Sequence, residues 1–112
     1  MSAEEMKRKI ASITSTQELV DVYVESYYQY KFFEDAEYDF EEGTEEYEFS
    51  CDETDVWREI MDDLEDQIKQ TASEEGLLAE KRPDSGIVKQ LVTFMDKYGY
   101  RNTGGWWVKK DI

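Results

Sequence analysis

Histidine is absent from the 112 residues, cysteine and proline occur once each, and no apolar run approaches the roughly 18 residues that a membrane span needs. Without histidine, the chain alone builds neither a Ser-His-Asp triad nor a histidine-held metal site. The sole cysteine, Cys51, excludes an internal disulfide and leaves any thiolate zinc set incomplete. Glycine-rich phosphate loops are missing as well, because Gly104-Gly105 stands alone and leads into tryptophans. The start, MSAEEMKRKI, is charged and has no apolar stretch that could serve as a signal peptide, so a reducing cytoplasm is expected. These absences predict no enzyme and no cofactor.

What is present is charge and rings. Hydrophobic residues make up 39% and aromatics 14%, more ring surface than a disordered acidic tail carries, so the chain is expected to fold as one domain over 1–112. The net charge is −15. Between Glu34 and Asp66, seventeen acids face one base, Arg58, and the rest of the chain is close to neutral. A surface made acidic only for solubility would spread its charge, so this concentration points to a local role. Such a field repels nucleic acid and anionic lipid and attracts basic surfaces, including those built to hold nucleic acid.

The periodicity predicts an α+β fold, mainly helical, with three to four helices, an acidic β-hairpin near 35–51 and a short C-terminal hairpin. Ser2 and Glu5 fit a capping box for a first helix over Ala3 to Ser12. Ser15-Thr16-Gln17-Glu18 starts a second, with Leu19, Tyr23, Tyr27 and Tyr30 at helical spacing as far as Phe33. A third begins at a cap of Asp52 or Thr54, buries Trp57, Ile60, Met61, Leu64 and Ile68, and stops at Gly76. A fourth follows Pro83-Asp84-Ser85, turns Ile87, Val88, Leu91, Phe94, Met95 and Tyr98 inward, and stops at Gly99. Tyr100-Arg101, a turn at Asn102-Thr103-Gly104-Gly105 and Trp106-Trp107-Val108 close the chain as a hairpin.

Residues 34–49, EDAEYDFEEGTEEYEF, change period. Asp35, Glu37, Asp39 and Glu41 alternate with Ala36, Tyr38 and Phe40, which is the two-residue repeat of a half-buried strand. Glu42-Gly43-Thr44 reads as a loop, after which Glu46 and Glu48 share one face and Tyr47, Phe49 and Cys51 the other. The rings are expected to anchor this hairpin to the core. Carboxylates two apart on a strand lie roughly 6.8 Å from one another, comparable with successive phosphates on a nucleic-acid strand. Glu34, Glu42 and Glu45 join the same acidic surface, and Asp55, Glu59, Asp62, Asp63 and Asp66 continue it along the outer face of the Trp57 helix.

Other uses of these residues compete with that one. The acidity fits a solvated face with no partner, although self-repulsion over 33 residues weighs against it. Paired carboxylates for glycoside hydrolysis carry little weight, because among twenty-eight acids some pair always lies at a workable distance. A calcium loop counted from Asp35 fails at its sixth position, where Phe40 stands in place of the glycine the sharp turn requires. In the C-terminal half, helix, connection, helix and ribbon follow in the order of a winged helix-turn-helix. Such a DNA-binding regulator would use Lys89, Lys97, Arg101, Lys109 and Lys110.

In size, charge and aromatic content the chain resembles the small acidic DNA-mimic inhibitors of phages and mobile elements, the anti-CRISPR and antirestriction proteins. EDAEYDFEEGTEEYEF and the following DETDVWREIMDDLED carry the likeness. It implies a cytoplasmic protein, in the host cell if phage-encoded, that binds the Arg and Lys of a CRISPR effector or restriction enzyme. It also implies no direct contact with nucleic acid or membrane. Acidic immunity proteins or antitoxins against a basic nuclease share the same physics, and the oligomeric state stays open.

Overall fold

Ser2 and Ser15, each with extended backbone, start a helix, and a computed structural model describing residues 2–77 and 87–110 shows how. The Glu5 backbone N–H donates to Ser2 Oγ and the Glu18 N–H to Ser15 Oγ, both at 3.2 Å, so each serine satisfies a donor that a helix start leaves open. They open α1, Ala3–Ala11, and α2, Thr16–Ala36. Helix α3 runs Glu45–Glu74, α4 runs Ile87–Lys97, and strands β1, Tyr100–Thr103, and β2, Trp106–Lys109, follow. The expected α+β, mainly helical class is what the described residues show, with four helices and one C-terminal hairpin. The proposed cap at Pro83-Asp84-Ser85 and the side chains of Ile87, Val88 and Lys89 lie outside the described residues.

The acidic hairpin expected over 35–51 does not form. Helix α2 continues past Phe33 to Ala36, a single 3-10 turn covers Glu37–Asp39, and α3 begins at Glu45 rather than at Asp52 or Thr54. Composition explains the outcome: residues 34–43 contain no β-branched side chain, and Glu and Ala favour helix over strand. Thr44 then starts α3. Its Oγ1 accepts from the Tyr47 N–H at 3.2 Å and donates to the Glu41 carbonyl at 2.7 Å. Glu45, Glu46 and Glu48 occupy the first turn, where the helix dipole favours negative charge.

The chain divides into two compact units, Met1–Glu65 and Asp66–Ile112, with the boundary inside α3. In the first, α1 packs on α2, and Lys9 pairs with Glu25 at 3.1 Å. Helices α2 and α3 run antiparallel, since Tyr30 meets Arg58 and Phe33 meets Phe49. Met6, Val20, Val22, Tyr23, Trp57 and Leu64 are buried, together with the polar Ser50 and Thr54. The Thr54 hydroxyl donates to the Ser50 carbonyl at 2.7 Å, so that burial leaves no lost hydrogen bond at Thr54.

In the second unit, α3 closes where Gly76 takes φ +72° and the Leu77 N–H reaches back to the Ala72 carbonyl at 2.8 Å. Ile68, Ala72, Leu91, Phe94, Met95, Tyr100 and Trp107 are buried. Strands β1 and β2 pair antiparallel with Thr103 opposite Trp106. Gly104 and Gly105 form the two-residue turn with φ of +59° and +88°, the positive pair that a tight hairpin requires. The turn is thus one glycine pair, with Asn102 and Thr103 inside β1.

Candidate functional site

The fourteen carboxylates expected to share one surface fall into three groups. Glu34 belongs to the joint between α2 and α3. Its carboxylate accepts from Lys31 Nζ at 3.2 Å and is about a third exposed. A hydrogen bond from Tyr30, which outweighs partial burial, then Lys31 and the charge of Arg58, hold it below the usual carboxylate range. Arg58, the one base of the acidic segment, is occupied too. It pairs with Asp55 at 3.5 Å, donates to Tyr30 Oη at 3.5 Å and stacks over that ring at 5.6 Å.

The second group surrounds the link between α2 and α3. Asp35, Asp39, Glu41, Glu42, Glu45 and Glu46 are exposed, and Glu37 is half-buried beside Cys51. Burial pushes the Cys51 thiol up despite a hydrogen bond with Tyr47, and Glu37 adds to the push, so the group is held as a thiol. Phe32, Phe33, Phe40 and Phe49 line a cleft of about 650 Å³ together with Asp35, Ala36, Asp39, Glu45, Glu46 and Ser50. The rings here do not anchor a hairpin to the core. Tyr38 is 87% exposed, Phe32 65% and Phe49 58%.

The third group is a row on α3. Glu48, Asp52, Asp55, Glu59 and Asp62 are all exposed and follow one another at intervals of four, three, four and three residues. That places one carboxylate per turn, about 5.4 Å apart along the axis, over about 21 Å. Trp57, Ile60 and Leu64 occupy the opposite, buried side. Asp63 flanks the row, and Asp66, one turn further along α3, falls in the second unit. In sequence Asp52 reads only as a cap, although its distance of four from Glu48 and three from Asp55 marks it as a member.

The ruler of acids two residues apart is therefore replaced by a ruler one turn apart. Glu46 and Glu48, expected on one face, are separated by about 200° around a helix and point to opposite sides. Asp35 lies in the last turn of α2, while Glu37 and Asp39 sit in the 3-10 turn, so no calcium-type loop exists there. Among the described residues, no three His, Cys, Asp or Glu converge to hold a metal ion, and no helix is long and apolar enough to cross a membrane.

Among the described residues, the bases of the C-terminal unit are dispersed. Lys97 pairs with Glu75 at 3.0 Å, and Tyr98 donates to the same carboxylate at 2.6 Å. The Tyr98 bond, followed by Lys97, holds Glu75 below its usual range. Lys110 pairs with Asp96. Arg101 and Lys109 are exposed, but the strand register sets them on opposite faces of the ribbon. No protein-family model matches the sequence, and no curated protein or solved structure was found to match it.

Proposed function

We propose that this protein is a non-enzymatic, acidic mimic of a nucleic-acid backbone, which binds the Lys- and Arg-rich surface of a nucleic-acid-binding defence protein such as a CRISPR effector or restriction enzyme. The observation that carries the reading is the α3 row from Glu48 to Asp62. Its side chains are exposed on a regular helix, and the segment's one base, Arg58, pairs with Asp55 and Tyr30, which leaves Glu48, Asp52, Glu59 and Asp62 to carry most of the row's charge. Charge held on a rigid helix speeds steered association and leaves little ordering cost on binding.

Magnitudes limit what the row can imitate. Counted along the axis rather than from group to group, one carboxylate per about 5.4 Å is sparser than the one charge per roughly 3.4 Å of a single DNA strand and far sparser than the duplex value of about 1.7 Å. The row therefore suits a local cluster of cations along one strand's path rather than a whole duplex footprint. The acids of the α2–α3 link add to the field near its Glu48 end. A nuclease bound by an acidic immunity protein would present the same kind of surface. The winged-helix reading loses ground, because Lys97 and Lys110 are ion-paired and Arg101 and Lys109 face apart.

Affinity capture from a host lysate at low and at high salt tests the reading. Recovery of nucleic-acid-binding proteins that are lost as salt rises supports it; recovery of none at either salt contradicts it.

A further inference from the structure

The cleft between α2 and α3 is a second surface, chemically unlike the α3 row. Its walls are the rings of Phe32, Phe33, Phe40 and Phe49, and three of these are more than two-fifths exposed. Rings gathered on one face offer apolar surface that a partner's side chains can cover. Its volume, about 650 Å³, lies within the range of pockets that enclose a ligand's apolar parts.

The rim decides the occupant. Asp35, Asp39, Glu45 and Glu46 line it and no basic residue does. An anionic lipid or nucleic acid would meet like charge. A second copy of this chain would bring carboxylates against carboxylates in a molecule of net charge −15. What matches both walls and rim is an apolar anchor flanked by Lys or Arg. We propose that this cleft receives the apolar face of a cationic amphipathic helix from a protein partner, with its bases set on the four rim carboxylates. The proposal rests on the cleft alone and stands even if the α3 row binds nothing.

The probe is a short helical peptide of Leu and Lys with its leucines on one face, labelled for fluorescence polarisation, and compared with a peptide of equal charge in which Ser replaces Leu. At an ionic strength of about 0.15 M, where surface charges act over only about 8 Å, the Leu/Lys peptide binds and the Ser/Lys peptide is weaker by about tenfold or more. Phe32→Ser and Phe49→Ser each weaken the Leu/Lys peptide by about tenfold, as loss of a central anchor contact does. Phe32 is 65% exposed, so its variant retains the fold if that of Phe49 does not. D39N/E46Q weakens binding as well, whereas E4Q/E74Q, a pair of exposed acids outside both the cleft and the α3 row, leaves it within about twofold.

Equal binding of the two peptides, no binding of the Leu/Lys peptide, or unchanged affinity in Phe32→Ser would overturn the proposal. So would a dimer of the free protein that Phe32→Ser dissociates, since the cleft would then belong to a second copy. Loss of peptide binding in E4Q/E74Q to the same extent as in D39N/E46Q would also overturn it.

Discussion

The rings of Phe33 and Phe49 meet edge to face, with centroids 6.0 Å apart and planes at 77°. This contact ties the last turns of α2 to the first turns of α3 at the place where sequence alternation predicts two strands. An edge-to-face pair contributes about 0.5–1.5 kcal/mol beyond the area it buries. A double-mutant cycle of Phe33→Leu and Phe49→Leu, followed by urea unfolding, is expected to give a coupling energy in that range. In a hairpin Phe33 would precede the strands, and additive effects would be the result.

Thr44 is the N-cap of α3, with its hydroxyl satisfied in both directions. Replacing a Thr cap with Ala costs about 1 kcal/mol. Thr44→Ala is therefore expected to lower the free energy of unfolding by about that amount, and Thr44→Ser to recover most of it. Destabilisation by Thr44→Ser as large as by Thr44→Ala would show that the hydroxyl does not cap the helix.

Glu34 links α2 to Arg58 through Tyr30, and its folded pKa lies below the ordinary value of 4.5. A depressed carboxylate pKa adds stability that is present above the unfolded value and disappears as pH falls through the folded one. Glu34→Gln is thus expected to lose under about 1 kcal/mol at neutral pH, since the pair is partly solvated. The gap between variant and parent should close on acidification below pH 4.5. Unfolding curves at a series of pH values check this, and a gap that widens on acidification would contradict it.

Much of the fold is written locally. The Ser2 and Ser15 caps, the stops near Gly76 and Gly99 and the Gly104-Gly105 hairpin all depend on residues a few positions apart. The first turns of α3 were hidden for a physical reason. Their buried stripe is Ser50 and Thr54, polar side chains whose burial hydropathy does not signal, and Thr54 tolerates it by bonding back to the Ser50 carbonyl. With that stripe silent, a seven-residue alternation from Asp35 to Glu41 is the strongest local pattern, although it lacks any β-branched residue. Acid density was legible; the faces on which the acids lie were not, because a change from strand to helix moves Glu46 and Glu48 to opposite sides.

The most direct test of the mimic reading compares the native protein with a variant whose row is neutralised, E48Q/D52N/D55N/E59Q/D62N. Both are immobilised, charged with host lysate and then titrated with a short duplex DNA while the captured protein is measured in the eluate. The reading predicts that the native protein retains a nucleic-acid-binding protein, that duplex DNA releases it, and that the neutralised variant retains far less. Equal capture by the two proteins, or a captured partner that duplex DNA fails to release, would contradict it.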